Sequence, residues 1–184
     1  MRYLAVLLIA LGITLAPGLS AAKRPEPKIV EIGGQVKGEQ GIVHFQLRNA
    51  FTPEMIEALK SGIEISFRTQ VEIERVHRNW FNVTVGERTV TRSVRYDALS
   101  RVFRLKRSEG EKLLPDIFSA LAEMSRYEVV VPLRFPAIRG KKYRARVKTR
   151  LDRVGLSEPL RSIFFFSSLW DVETDWGKGA LRSP

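Results

Sequence analysis

The chain has 184 residues, 31 Lys and Arg against 20 Asp and Glu, a formal net charge of +11 and 44% hydrophobic residues, enough apolar content for a packed core despite the charge. It contains no cysteine, which excludes a disulfide framework, a thiolate nucleophile, zinc-thiolate and iron-sulfur centres and a cysteine-linked lipid. The length fits one domain.

The first residues read as an address. Arg2 supplies a minimal positive start, residues 3–15 form an apolar run of 13, and Pro17-Gly18 break any helix ahead of the small residues Ser20, Ala21 and Ala22. This is the pattern of a secretory signal peptide over 1–22, cut after Ala22 to leave 162 residues with a net charge of +10, since only Arg2 is lost from the count. The alternative is an uncleaved N-terminal membrane anchor, because residues 3–22 just reach across a bilayer core of ~30 Å. The mature protein is expected to be periplasmic or secreted, with a fold that holds without disulfides, as a domain of this size can.

Residues 23–28 form a charged, extended spacer around Pro25 and Pro27. Strands are expected at 29–36 and 42–48, on either side of a turn at 38–41. Over 50–62 the period changes to that of a helix, with Thr52 as N-cap, Pro53 at the first helical position, Gly62 as the stop, and Phe51 and Ile56 placed for a hydrophobic staple. From 63 to 75 the alternation is that of a half-buried antiparallel strand, with Ile63, Ile65, Phe67, Val71 and Ile73 on one face and Glu64, Glu72 and Glu74 on the other. Strands at 88–98 and 101–107 follow, joined by a tight connection at 97–100.

Pro115 opens a second helix with Ile117, Phe118, Leu121, Ala122 and Met124 on its apolar face. Residues 127–135 return to period two, and Pro132 and Pro136 mark an edge strand. Residues 142–153 are expected as its hairpin partner across Arg139-Gly140-Lys141. The sum is a mainly β fold, an antiparallel β-sandwich of about seven or eight strands with two short α-helices over 29–170, followed by a C-terminal tail at 171–184. A partly open β-barrel is the alternative.

The charge is concentrated. Residues 139–153 hold eight cations against one acid, Asp152. On a strand, Lys142, Arg144, Arg146, Lys148 and Arg150 share one face and Tyr143, Ala145, Val147 and Leu151 the other. The five cations then stand at ~6.6 Å intervals, inside the ~8 Å Debye length, so they act jointly on an anion. If the 63–75 strand is their neighbour, Glu64, Glu72 and Glu74 neutralise the row instead.

Catalytic constellations are scarce. His44 and His77 are the only histidines, too few for a His-rich metal site. Asp171, Glu173 and Asp175 superficially resemble a calcium loop, but Trp176 stands where that loop needs Gly and Arg182 where it needs Glu. No phosphate-binding loop, dinucleotide fingerprint or nucleophile elbow occurs. Asn82-Val83-Thr84 is a sequon by chance occurrence. Of the tryptophans, Trp80 and Trp170 are expected in packing, and Trp176, in the tail, to fold back or meet a partner.

The stretch FQLRNAFTPEMIEALKSGIEISFRTQVEIER at 45–75, the aromatic pair Trp80-Phe81 and RTVTRSVRYDALSRVFRL at 88–105 resemble an uncharacterised family of bacterial exported proteins (DUF4390-like). The resemblance implies an envelope protein whose gene often neighbours that of a sensor kinase of the nitrogen-regulation type, and it implies no catalytic residues. The expected function is non-enzymatic: binding or scaffolding of an anionic or membrane-associated partner, such as anionic lipid, acidic polysaccharide or an acidic protein, through Lys142, Arg144, Arg146, Lys148 and Arg150, with Trp176 as a further contact and no cofactor or metal. The alternatives are a periplasmic accessory of a membrane sensor kinase and a hydrolase using Asp97 or Asp152. Nucleic acid is not an expected partner.

Overall fold

The computed structural model describes residues 25–152 and 172–183. The expected signal segment 1–22, together with Arg153, Trp170 and Asp171, lies outside the described residues. In chain order the elements are β1 (Lys28–Lys37), β2 (Gln40–Arg48), α1 (Pro53–Lys60), β3 (Ile65–Val76), β4 (Val83–Asp97), β5 (Val102–Arg107), β6 (Gly110–Leu114), α2 (Ile117–Ser125), β7 (Arg126–Pro132), β8 (Lys142–Leu151) and β9 (Gly177–Leu181). They form a sandwich of two antiparallel sheets, one of order β1-β2-β7 and the other of order β6-β5-β4-β3-β8-β9. The sheets touch at both margins without closing a barrel. Val36 N–H donates to the Arg182 carbonyl at 2.8 Å, and Arg134 N–H to the Val85 carbonyl at 2.8 Å.

The local signals explain most elements. Thr52 Oγ1 accepts from Met55 N–H at 3.2 Å, Pro53 begins α1, and Gly62 takes the left-handed conformation with φ 86°. Phe51 packs edge-on against Phe67, ring centroids 5.2 Å apart. In β3 the inward residues Ile65, Phe67, Val71 and Ile73 are all buried, as period two requires. Asp97 closes the β4–β5 turn by accepting from the N–H groups of Leu99 and Ser100. β7 stands at the edge of its sheet and ends at Pro132, in keeping with proline's missing donor.

The small sheet covers only half of the large one. Val43, Phe45, Val129 and Val131 pack there against Val71, Ile73, Ala145 and Val147. The other half is covered by the helices, through Met55, Leu59, Ala120 and Met124 packed on Phe67, Val94 and Leu105. Helix α2 turns a different side inward from the one its spacing suggests: Ala120 and Met124 are buried, whereas Phe118 is exposed. Its start is fixed by Asp116, which accepts from Ser119 N–H at 2.9 Å.

Two expectations about connectivity need correction. β8 is not the hairpin partner of β7; it crosses to the large sheet and lies between β3 and β9. Period two fixes which residues share a face and is silent on the neighbour. The expected tail is likewise no tail, since β9 completes the large sheet beside β8. Gly179 of β9 permits it also to lie close against β1, because a Cβ there would stand 2.2 Å from the Ile32 carbonyl oxygen.

β1 carries a bulge between Val30 and Gly33, with Glu31 at φ 56° and ion-paired to Arg48 at 2.8 Å. Where the sheets meet at β4, a Cβ on Gly86 would lie 2.6 Å from the Pro132 carbonyl oxygen. Gly86→Ala is therefore expected to destabilise the fold by about 1–3 kcal/mol, through overpacking against backbone. A urea midpoint equal to wild type would show that the margin yields freely.

Candidate functional site

The basic row lies as drawn from the sequence, on the outward face of β8. Tyr143, Ala145, Val147 and Thr149 are buried on the inner face, while Lys142 and Arg150 are exposed and Arg144, Arg146 and Lys148 half-buried. Its neighbour decides its chemistry. β3 places Glu74 opposite Arg144, Glu72 opposite Arg146, Gln70 opposite Lys148 and Arg68 opposite Arg150.

The centre of the row is internally compensated. Glu74 accepts from Arg144 Nε at 3.1 Å and Arg144 Nη2 at 2.5 Å, and from Arg146 Nη1 at 3.0 Å. Arg146 also pairs with Glu72 at 3.4 Å. Burial alone would raise the Glu74 carboxyl, but the hydrogen bonds and charges of Arg144 and Arg146 hold it below the ordinary carboxylate value. Trp176, expected to fold back or to meet a partner, folds back: it lies half-buried with its ring against the Arg146 guanidinium, 4.4 Å from centroid to Cζ. These residues form one neutralised unit, so the uniform docking row of five cations gives way to a paired middle with open ends.

The Arg150 end is different. Arg68 and Arg150 stand directly across the ladder, an unfavourable like-charge placement. Arg68 pairs with Asp152 at 3.0 Å, and Lys148 pairs with Glu173. Arg150 has no ion pair of its own among the described residues. Glu173 is brought there because residues 172–174 run along β8: Leu151 N–H donates to the Val172 carbonyl at 2.8 Å, and Thr174 N–H to the Thr149 carbonyl at 2.9 Å. The Glu173 carboxyl is lowered first by the hydrogen bond from Lys148, then by the charges of Lys148 and Arg150. Arg68, Gln70, Thr89, Lys148, Arg150 and Glu173 line an open cleft of about 310 Å³. Its lining holds three cations against one carboxylate, a setting that favours a small anionic group.

The residues considered for catalysis are engaged elsewhere. Asp97 accepts from Arg104 Nε at 2.8 Å, and its carboxyl is lowered to about 2, by Arg104 first and the Ser100 N–H next. Asp152 is tied to Arg68. His77 is held in the β3–β4 turn, its N–H donating to Asn82 Oδ1 at 3.2 Å, and His44 lies on the outer side of β2, close over Gly33. Among the described residues no group of three His, Asp or Glu side chains is placed to hold a metal ion, and no helix is long and apolar enough to cross a membrane.

Sequence reasoning missed two features. Trp80 is not in packing: it is 77% exposed beside Phe81 at 84%. Arg92, on β4, is buried and donates to the carbonyls of Glu123, at 3.1 Å, and Arg126, with its Cζ 4.0 Å from the Tyr127 ring centroid. It thereby ties the end of α2 to β7. Its place in a strand of alternating polar residues gives no hint of this.

No curated protein and no solved structure matches the chain. A family model, described as a domain of unknown function (DUF4390), matches residues 25–179, most of the chain, which therefore belongs to that family.

Proposed function

We propose that the domain is a non-enzymatic exported envelope protein that binds an anionic partner, through the Arg150 end of the basic strand face. The observation that carries this reading is the in-register apposition of Arg68 and Arg150 above a cleft whose cations outnumber its carboxylates. An anion seated between the two guanidiniums would remove their repulsion and accept from both. A non-enzymatic role is supported by the carboxylates. Asp97 and Asp152 are each bound to an arginine, and Asp97 is pushed down, opposite to the shift a general acid needs.

Binding to dextran sulfate, used as a polyanion probe, is expected to weaken as salt rises. Arg150→Glu should weaken it roughly tenfold and flatten the salt dependence, as charge reversal in a shared site does. Lys106→Glu, the same change at an exposed position of β5 away from the cleft, serves as the control. Equal losses in the two variants would reduce the cleft to part of a general positive charge.

A further inference from the structure

Three connections and the end of β9 gather at one end of the sandwich by register. Arg75 pairs with Val83 at the foot of the β3–β4 hairpin. Val76 faces Lys142 at the start of β8, and Leu181 faces Tyr143 at the end of β9. The β1–β2 turn joins them, since Leu133 N–H donates to the Glu39 carbonyl at 2.8 Å and Ala137 N–H to the Gly38 carbonyl at 2.7 Å.

Large apolar side chains project from two of these connections. Trp80 and Phe81 crown the β3–β4 hairpin in edge-to-face contact, ring centroids 6.2 Å apart. Phe135, 71% exposed, and Ile138 stand on the β7–β8 loop, and Val83 is exposed at the hairpin foot. Elsewhere exposed large apolar residues are scattered, as with Leu99 in the β4–β5 turn and Phe118 on α2. A cluster of this kind marks an interaction surface, whereas scattered residues do not.

The charge around the cluster selects its occupant. Lys37, Arg78, Arg139, Lys141, Lys142 and Arg182 are all exposed at this end and form no ion pair with a described residue. The nearby acids are Glu39 and Glu87, and Glu87 is paired with Arg134 at 2.9 Å. Protruding aromatics inside a ring of cations complement a surface that is apolar beneath and negative on top. Indole rings favour the interfacial layer of a bilayer, and cations within a Debye length of anionic headgroups are drawn to them.

We propose that this end of the sandwich docks on an anionic phospholipid bilayer, with Trp80, Phe81, Phe135 and Ile138 entering the interfacial layer and the surrounding cations meeting headgroup phosphates. The proposal deepens the preceding one by naming a lipid surface, and it rests on that reading only in placing the domain beside an envelope membrane. It uses a separate surface. Eight positions of β3 separate Arg68 from Val76, roughly 27 Å at strand rise, so a docked domain holds the cleft away from the lipid.

The test uses the chain from Lys23 onward, since every described element lies within 28–181, with vesicles of phosphatidylcholine, either pure or containing one third phosphatidylglycerol. Sedimentation with the anionic vesicles alone is expected. Trp80→Ser with Phe81→Ser should weaken it at least about tenfold, the share one large buried aromatic contributes. Lipids brominated near the headgroup end of their chains should quench the wild-type tryptophan emission. They should quench far less in Trp80→Phe, which still sediments. Sedimentation unchanged by the double serine variant, quenching that persists in Trp80→Phe, or no binding to anionic vesicles would each overturn the proposal. Self-association abolished by the serine variant, without vesicle binding, would identify a second copy as the occupant instead. Arg150→Glu should leave sedimentation intact while impairing dextran sulfate binding, so the two readings fail separately.

Discussion

Truncating Phe67 to alanine is expected to lower the stability of the fold by about 3–5 kcal/mol, the range for emptying a buried aromatic site. Phe67 is fully buried in β3, which lies between β4 and β8, and its ring receives the edge of Phe51 from the segment that leads into α1. It also belongs to the cluster that Met55, Leu59, Ala120 and Met124 build beneath the helices. Neighbours drawn from a helix on one side and a sheet on the other cannot both collapse into the void, so the loss should fall in the upper part of the range. Phe118→Ala, at an exposed position on α2, should change stability by no more than about 0.5 kcal/mol. Urea unfolding at neutral pH compares the two. Similar midpoints would mean that the helical layer is not packed on β3 as described.

Glu74→Gln is expected to destabilise by about 2 kcal/mol, because it leaves the half-buried guanidiniums of Arg144 and Arg146 sharing a neutral acceptor. The effect should depend on pH in a defined direction. The folded carboxyl lies below its ordinary value of 4.5, so its stabilisation is complete above that value and lost as pH falls through the lowered one. Wild type and variant should therefore differ most near neutrality and converge in acid. Chemical unfolding at pH 7 and pH 3 measures the convergence, and a constant difference between the two curves would show that Glu74 is not held ionised by its arginines.

The elements most legible in the sequence are those whose signals are local. Thr52 and Pro53 announce α1, the alternation from Ile63 to Ile73 announces β3, which begins two residues later at Ile65, and the Asp97 turn announces the β4–β5 hairpin, although β4 begins at Val83 and not at the expected 88. β6 was not legible, since Gly110-Glu111-Lys112 resembles a loop until Leu113 and Leu114. β9 was hidden for a different reason: its glycines carry no pattern, and they are needed for close approach to Ile29 and Ile32 of β1.

The candidate site was legible to the same depth. The face carrying Lys142 to Arg150 follows from period two, but its electrostatics follow from which strand lies alongside. That pairing is made across some 70 residues of chain, as between Glu74 and Arg144. Both outcomes follow from a single register, since the strand that supplies Glu72 and Glu74 to the middle of the row supplies Arg68 to its end. The exposure of Trp80 was beyond sequence reasoning because a hairpin tip and a core wedge use the same residue types.

The margins of the two sheets have a consequence for crowded conditions. β7 stops at Pro132, β1 is kinked by its bulge at Glu31, β6 is five residues long with Glu111 and Lys112 in it, and β9 leans on β1 through Gly177 and Gly179. None offers a long, flat run of free donors and acceptors to a passing strand. Copies packed at high concentration should therefore resist stacking into fibrils by rim-to-rim pairing, even though most of the described residues lie in strands.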